Sequence, residues 1–312
     1  MDADFENLIP TLEADTAQRL AQLTNDLAGL RRMRAEMSAT TEGRGPAVKS
    51  QEDIEIPGPK GQGTVPIRVF VPNGEVRGAY LHVHGGGWVL GSERGGDPTL
   101  RRIASEAGVV VVSVGYRLAP EYPYPAGLND CIAAASWLED HLQDFGIADD
   151  AAIAIGGESA GANLAAAVML RRRDECATPF RAAVLTFGVF TAKLDLPSMK
   201  EMWDRDLVLS GPIMQYFVNA YATGQDLEHP YISPLFADLK GMPPALFMVV
   251  TLDHLYSDTV HMANAWHKAG NVIELREFPG APHGFTGFPA ESAKTAIGAM
   301  AAFIARNLAP GA

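Results

Sequence analysis

The stretch Gly157-Glu158-Ser159-Ala160-Gly161 sets a lone serine between glycines, where an apolar run gives way to an alanine-rich one. A serine hydroxyl is a poor nucleophile at neutral pH. It acts only with a base, a group that orients the base, and donors for the oxyanion that forms. All three are present in the chain. His84-Gly85-Gly86-Gly87-Trp88 follows an apolar strand-like run, and its side-chain-free residues can bring backbone N–H groups close to a reacting oxygen. ALFMVVTLDHL supplies an acid, Asp253, and LREFPGAPHGF supplies a histidine, His283. The chemistry these types allow is acyl transfer, with Ser159 as nucleophile, His283 as base and Asp253 as orienter.

That chemistry requires elements that bring the three motifs together. From Val65 onward, short β-rich runs alternate with helical stretches. Strands are expected at Val65 to Val71, Ala79 to His84, Val109 to Val114, Ala151 to Gly156, Ala182 to Phe187, Ala245 to Thr251 and Val272 to Phe278. Helices are expected near Pro98 to Ala107, Leu128 to Asp144, Ala160 to Arg173, Tyr256 to Ala269 and Ala290 to Arg306. Strands as apolar as GVVVVSV belong to a mostly parallel, doubly wound α/β sheet covered on both faces, whose ligands sit beyond the carboxyl ends of the strands. Ser159, Asp253, His283 and the glycine loop all follow strands. A turn from a strand ending at Gly156 into a helix from Ala160 exposes Ser159, which is a nucleophile elbow, and the order Ser, Asp, His is that of the α/β-hydrolase triad. In a chain with 31 glycines the elbow motif alone is weak, and the HGGG string is far more specific.

Together the HGGGW loop, the stretch Tyr116-Arg117-Leu118-Ala119-Pro120-Glu121 running into YPYPAGLND, the GESAG elbow, the Asp-x-Leu at Asp253 and the HGF at His283 resemble the bacterial hormone-sensitive-lipase-like esterases, or family IV carboxylesterases. The resemblance spans roughly Val65 to Leu308. It implies the α/β-hydrolase fold as a single domain over 1–312, with a helical cap built from about 1–45 and an insertion at about 191–229. Gly85, Gly86 and Ala160 would be the main oxyanion donors, with Gly87 in support. No metal and no organic cofactor is implied, and the substrate would be a small ester with a short-to-medium acyl group. A homodimer is a further expectation. The chain departs from the family pattern at Glu158, where Asp is commoner, in Asp-His-Leu-Tyr-Ser, where Asp-Pro-Leu-Arg-Asp is commoner, and at Ala162.

Other residues have plainer readings. Leu20, Leu23, Leu27 and Leu30 space one face of a helix from about Thr11 to Met37 that packs on a surface or forms a short coiled coil. Trp88, Trp203, Met214 and Phe285 are bulky groups in the loops and cap nearest the serine, and some of them are expected to wall the acyl pocket. Glu158 reads as a supporting residue, and Asp258 as an early-turn charge or cap with the orienter role as its alternative. His254, His261 and His267 read as solvated or loosely packed, and Cys131 and Cys176 as helical and without a bridge. A net charge of −12 disfavours nucleic acid and anionic lipid, and the absence of a long apolar run disfavours a membrane span, so a cytoplasmic location is expected. Hydrolysis of a lactone, amide or sugar acetate is the alternative activity. Pure ligand binding, as in the plant gibberellin receptors, is the alternative outside enzymes.

Overall fold

The computed structural model describes residues 3–23, 27–39, 44–148 and 153–309. Eight strands among them form one sheet: β1 (Ser50–Pro57), β2 (Thr64–Val71), β3 (Ala79–Val83), β4 (Val110–Val114), β5 (Ile153–Glu158), β6 (Ala182–Thr186), β7 (Ala245–Leu252) and β8 (Ile273–Pro282). Their order is β1-β2-β4-β3-β5-β6-β7-β8, antiparallel where β2 meets β1 and β4 and parallel elsewhere. Every expected strand is present. The expected start of β5 at Ala151 lies outside the described residues, and its end runs past Gly156 to Glu158. Strand β1 was not expected from the sequence. The segment Pro72-Asn73-Gly74 after β2 leads toward β3 without closing a hairpin, because β2 pairs with β1 and β4 and not with β3.

The helices are α1 (Ala3–Glu6), α2 (Ile9–Leu23), α3 (Leu27–Ala39), α4 (Asp97–Ala107), α5 (Ala126–Asp140), α6 (Ala160–Asp174), α7 (Pro197–Glu201), α8 (Gly211–Tyr221), α9 (Tyr256–Lys268) and α10 (Glu291–Asn307). Successive strand residues point to opposite faces, so the sheet is packed twice. Val110, Val112 and Val114 join α5, α6 and α9 in one apolar cluster, whereas Val111, Tyr80 and Val184 join α4 and α10 in the other. No helix among the described residues is long and apolar enough to cross a membrane.

The single helix expected over Thr11 to Met37 is described as two, α2 and α3, with residues 24–26 outside the described set. Leu23, Leu30 and Met33 bury into the α5 and α6 side, together with Phe217 and Met214 of α8. Arg34, in the second half of α3, ties the helix to the loops after β3 and β4 by donating to the carbonyls of Val89, at 2.7 Å, and Ala119, at 2.6 Å, and by pairing with Glu121. Helix α1 belongs to the opposite face, where the fully buried Phe5 meets Phe288 edge-on. Cys131 is buried in α5, but Cys176 lies beyond the end of α6 and is exposed, contrary to a helical reading.

Candidate active site

Ser159 sits between the end of β5 and the start of α6 with φ 56° and ψ −123°, a backbone conformation that costs of order 1–3 kcal/mol for a residue with a side chain. The neighbouring glycines are set by space. A Cβ on Gly157 would lie 2.2 Å from the Val83 carbonyl oxygen, and one on Gly161 only 2.0 Å from the same atom. The elbow is pressed directly against the end of β3, which places Ser159 beside the glycine loop that follows β3.

His283 and Asp253 come from the ends of β8 and β7. His283 Nδ1 lies 2.9 Å from Asp253 Oδ2, and Asp253 Oδ1 accepts the Leu255 N–H at 3.0 Å. Asp253 is fully buried, and a carboxylate can only accept, so Nδ1 carries the proton and Nε2 is left to face the cavity. The Phe187 ring stands edge-on to the imidazole at 4.7 Å. Ser159 and His283 line one cavity of about 270 Å³, with the glycine loop on one side and Val208, Leu209, Ile213 and Phe217 on the other.

Within the glycine loop the expected donors separate. The Gly85 N–H donates to Glu158 Oε1 at 2.8 Å and is therefore not available to a substrate oxygen, which corrects the expectation for Gly85. Among the described residues no protein acceptor takes the N–H of Gly86, Gly87 or Ala160. Gly86 has φ 111°, and a Cβ there would lie 2.3 Å from the Leu90 carbonyl oxygen. Only glycine fits that approach.

None of the four bulky residues expected in the pocket wall lines the cavity. Trp88 is buried and stacked on Tyr221 at 4.5 Å, and Phe285 packs behind Phe187 and Phe278. Met214 is buried in α8, and Trp203 lies against Gly211 at the start of α8. These residues pack against the core instead, and the wall on that side is built from Val208, Leu209, Ile213 and Phe217.

His254, expected to be solvated, is fully buried, and its Nε2 donates to the Met202 carbonyl at 2.7 Å. Burial lowers its pKa, so it is neutral at physiological pH. His261 bonds the Ser257 carbonyl of its own helix, and His267 is exposed. His84 stacks on Tyr116 at 4.2 Å and donates from Nδ1 to the Gly85 carbonyl at 2.8 Å. Burial drives its pKa down to about 4, which keeps the ring neutral.

Asp258 is not hydrogen-bonded to His283. It is buried, and its Oδ1 accepts the N–H groups of Phe190 at 2.9 Å and Thr191 at 3.0 Å, which ties the chain after β6 to α9. Burial pushes its pKa up to about 7 despite those two donors. The folded value therefore exceeds the unfolded one, and the fold holds the proton that the unfolded chain releases between about pH 4 and 7. Stability falls as pH rises through that window. Asp258→Asn keeps an acceptor for both N–H groups without the titration. Its melting temperature should approach or exceed that of the parent as pH is raised from about 4.5 to 8, by an amount equivalent to roughly 2–4 kcal/mol. A difference between the two proteins that does not change with pH would contradict this.

Comparison with known proteins places this geometry in context. A family described as alpha/beta hydrolase fold matches residues 80–287. Carboxylesterase NlhH of Mycobacterium tuberculosis is 36% identical over 232 residues, which is 72% of each chain. A hyperthermophilic esterase from the archaeon Pyrobaculum calidifontis superimposes with a TM-score of 0.84 at 33% identity, over 95% of this chain and 97% of that one. A hormone-sensitive lipase from a metagenome library superimposes with a TM-score of 0.84 at 28% identity, over 99% of this chain and all of that one (100%).

Proposed function

The chain belongs to the α/β-hydrolase fold family as a hormone-sensitive-lipase-like carboxylesterase, and from this we propose that Ser159, His283 and Asp253 carry out the hydrolysis of short-to-medium acyl esters through an acyl-enzyme. The observation that carries the residue assignment is a serine on a strained elbow sharing one cavity with a histidine whose Nδ1 is held by a buried aspartate.

In this reading Ser159 Oγ attacks the ester carbonyl carbon while His283 Nε2 takes the hydroxyl proton. Asp253 keeps the proton on Nδ1 and stabilises the imidazolium. The negative charge on the former carbonyl oxygen falls to the N–H groups of Gly86, Gly87 and Ala160, each worth about 3–4 kcal/mol to the transition state. The ester C–O bond breaks as His283 returns the proton to the departing alcohol. Water then attacks the acyl-enzyme by the same route in reverse, and Ser159 regains its proton from His283.

Helices α2 and α3 and the segment around α7 and α8 act as the cap over the serine. We further propose a cytoplasmic location, which two unbridged cysteines fit. A cavity of about 270 Å³ with mostly apolar walls suits an acyl chain of a few carbons. Initial rates on p-nitrophenyl esters from acetate to palmitate should peak between C2 and C8. Phe217 lines the cavity with its ring packed directly on Gly87, where a Cβ would lie 2.1 Å from the ring, so Phe217→Ala should raise the kcat/KM ratio of decanoate to butyrate roughly 10-fold. An unchanged ratio would remove Phe217 from the acyl wall, and rates flat across the series would count against chain-length selection altogether.

A further inference from the structure

Three residues that the mechanism above does not use form a connected chain beneath the glycine loop. Glu158 is the last residue of β5 and precedes Ser159. Its Oε1 accepts the Gly85 N–H at 2.8 Å, and its Oε2 accepts from His82 Nε2 at 2.8 Å. His82 Nδ1 in turn lies 3.2 Å from Ser113 Oγ, and His82 and Ser113 are paired across β3 and β4. The chain thus spans three neighbouring strands, β5, β3 and β4, and ends on the loop that follows the middle one.

A peptide unit is planar, so holding one of its ends orients the other. The unit joining His84 to Gly85 is held at both ends: its N–H by Glu158, and its carbonyl by the Tyr116 hydroxyl at 3.0 Å. The next unit, joining Gly85 to Gly86, is held at its carbonyl by His84 Nδ1 at 2.8 Å. Its remaining group is the Gly86 N–H, which is thereby aimed by the side chains that hold the two preceding peptide carbonyls and the Gly85 N–H. Glycines resist no rotation of their own, so the aim must come from such partners.

We infer that Glu158 is a positioning residue for the oxyanion loop, clamping the Gly85 peptide to the elbow so that the Gly86 N–H faces the oxygen of the ester bound at Ser159. The inference rests on the Ser159 mechanism proposed above. Both carboxylate oxygens are engaged, which directs the charge toward Gly85 and His82 and not toward the developing oxyanion. Burial alone would raise the Glu158 pKa, but His82 and the Gly85 N–H outweigh it and hold the group below the usual carboxylate range. The clamp is therefore ionised and closed at neutral pH.

The test compares Glu158→Gln, which keeps an oxygen for the Gly85 N–H, with Glu158→Ala, which does not. Glu158→Met, a similar volume without that acceptor, replaces the alanine variant should the latter fail to fold. On p-nitrophenyl butyrate the alanine or methionine variant should lose about 10- to 100-fold in kcat with KM changed less than about threefold. Affinity for a trifluoromethyl ketone, whose adduct carries the oxyanion, should fall in parallel, and the glutamine variant should stay within about fivefold of the parent on both measures. The inference is overturned if folded Glu158→Ala or Glu158→Met keeps the parental kcat, if only KM rises, or if Glu158→Gln loses as much as they do. Ser159→Ala measured beside them separates the two levels: an active Ser159→Ala defeats the mechanism, whereas an inactive one with an undiminished Glu158→Ala defeats the clamp alone.

Discussion

Ser159→Ala is expected to lower kcat on p-nitrophenyl butyrate by about 10⁵- to 10⁶-fold with the fold intact, the largest functional change that any single substitution here should produce. The size follows from what the substitution removes. The oxyanion donors and the cavity remain, and such a shell retains roughly 10³- to 10⁴-fold acceleration over water when the nucleophile is gone. The covalent route is lost completely. His283→Ala should be of similar size, and the double variant should be no worse than either single one, because nucleophile and base act as one unit and their effects do not add. An organophosphonate should add its mass once per chain, on the peptide containing Ser159, and should add nothing to Ser159→Ala. The alanine also keeps φ near 56° without the benefit of a reacting hydroxyl, so its stability should differ little from the parent. A variant with more than about 1% of parental kcat, at equal purity and melting temperature, would show that another group does the chemistry.

Much of this site was legible in the sequence because its most constrained positions carry local signatures. Close backbone approach admits only glycine, so the loop after β3 and the elbow after β5 announce themselves as HGGG and GESAG. Asp253 and His283 were legible by position, each at the end of a strand whose apolar run was plain. The features that were missed depend on partners far away in the chain. Whether the Gly85 N–H is free depends on Glu158, 73 residues later, and nothing near Gly85 records that contact. His254 is buried because α7 and Met202 close over it, and Asp258 because the chain after β6 does, whereas the sequence suggested solvent or loose packing for the first and an early-turn charge or cap for the second. Trp88 and Phe285 show the same limit from the other side: large apolar residues near a site are as suited to fill the core behind it as to wall it. Strand β1 was missed because Ser-Gln-Glu-Asp is a poor strand sequence, accepted only at an exposed edge where β2 supplies the pairing.

The glycines of the elbow matter to stability as well as to catalysis. Gly161→Ala should be the most destabilising single methyl addition near the site, by more than about 4 kcal/mol, which corresponds to a fall of at least about 6 °C in melting temperature for a chain of this size. Its Cβ would lie 2.0 Å from the Val83 carbonyl oxygen and 2.6 Å from that of His84. Both are backbone atoms at the end of β3, which is held between β4 and β5 in the middle of the sheet, so they cannot swing aside as a side chain would. Relief requires moving α6 away from the sheet, and α6 begins at the residue after Ser159. The appropriate control is Gly146→Ala. Gly146 has φ 73° and open space around its Cβ position, so an alanine there meets only the left-handed backbone penalty of about 1–2 kcal/mol. Thermal melts of the two variants therefore compare a steric demand with a conformational one. If both fall by the same few degrees, the contact between the elbow and β3 is loose, and Ser159 is held by something other than the packing of glycines against that strand.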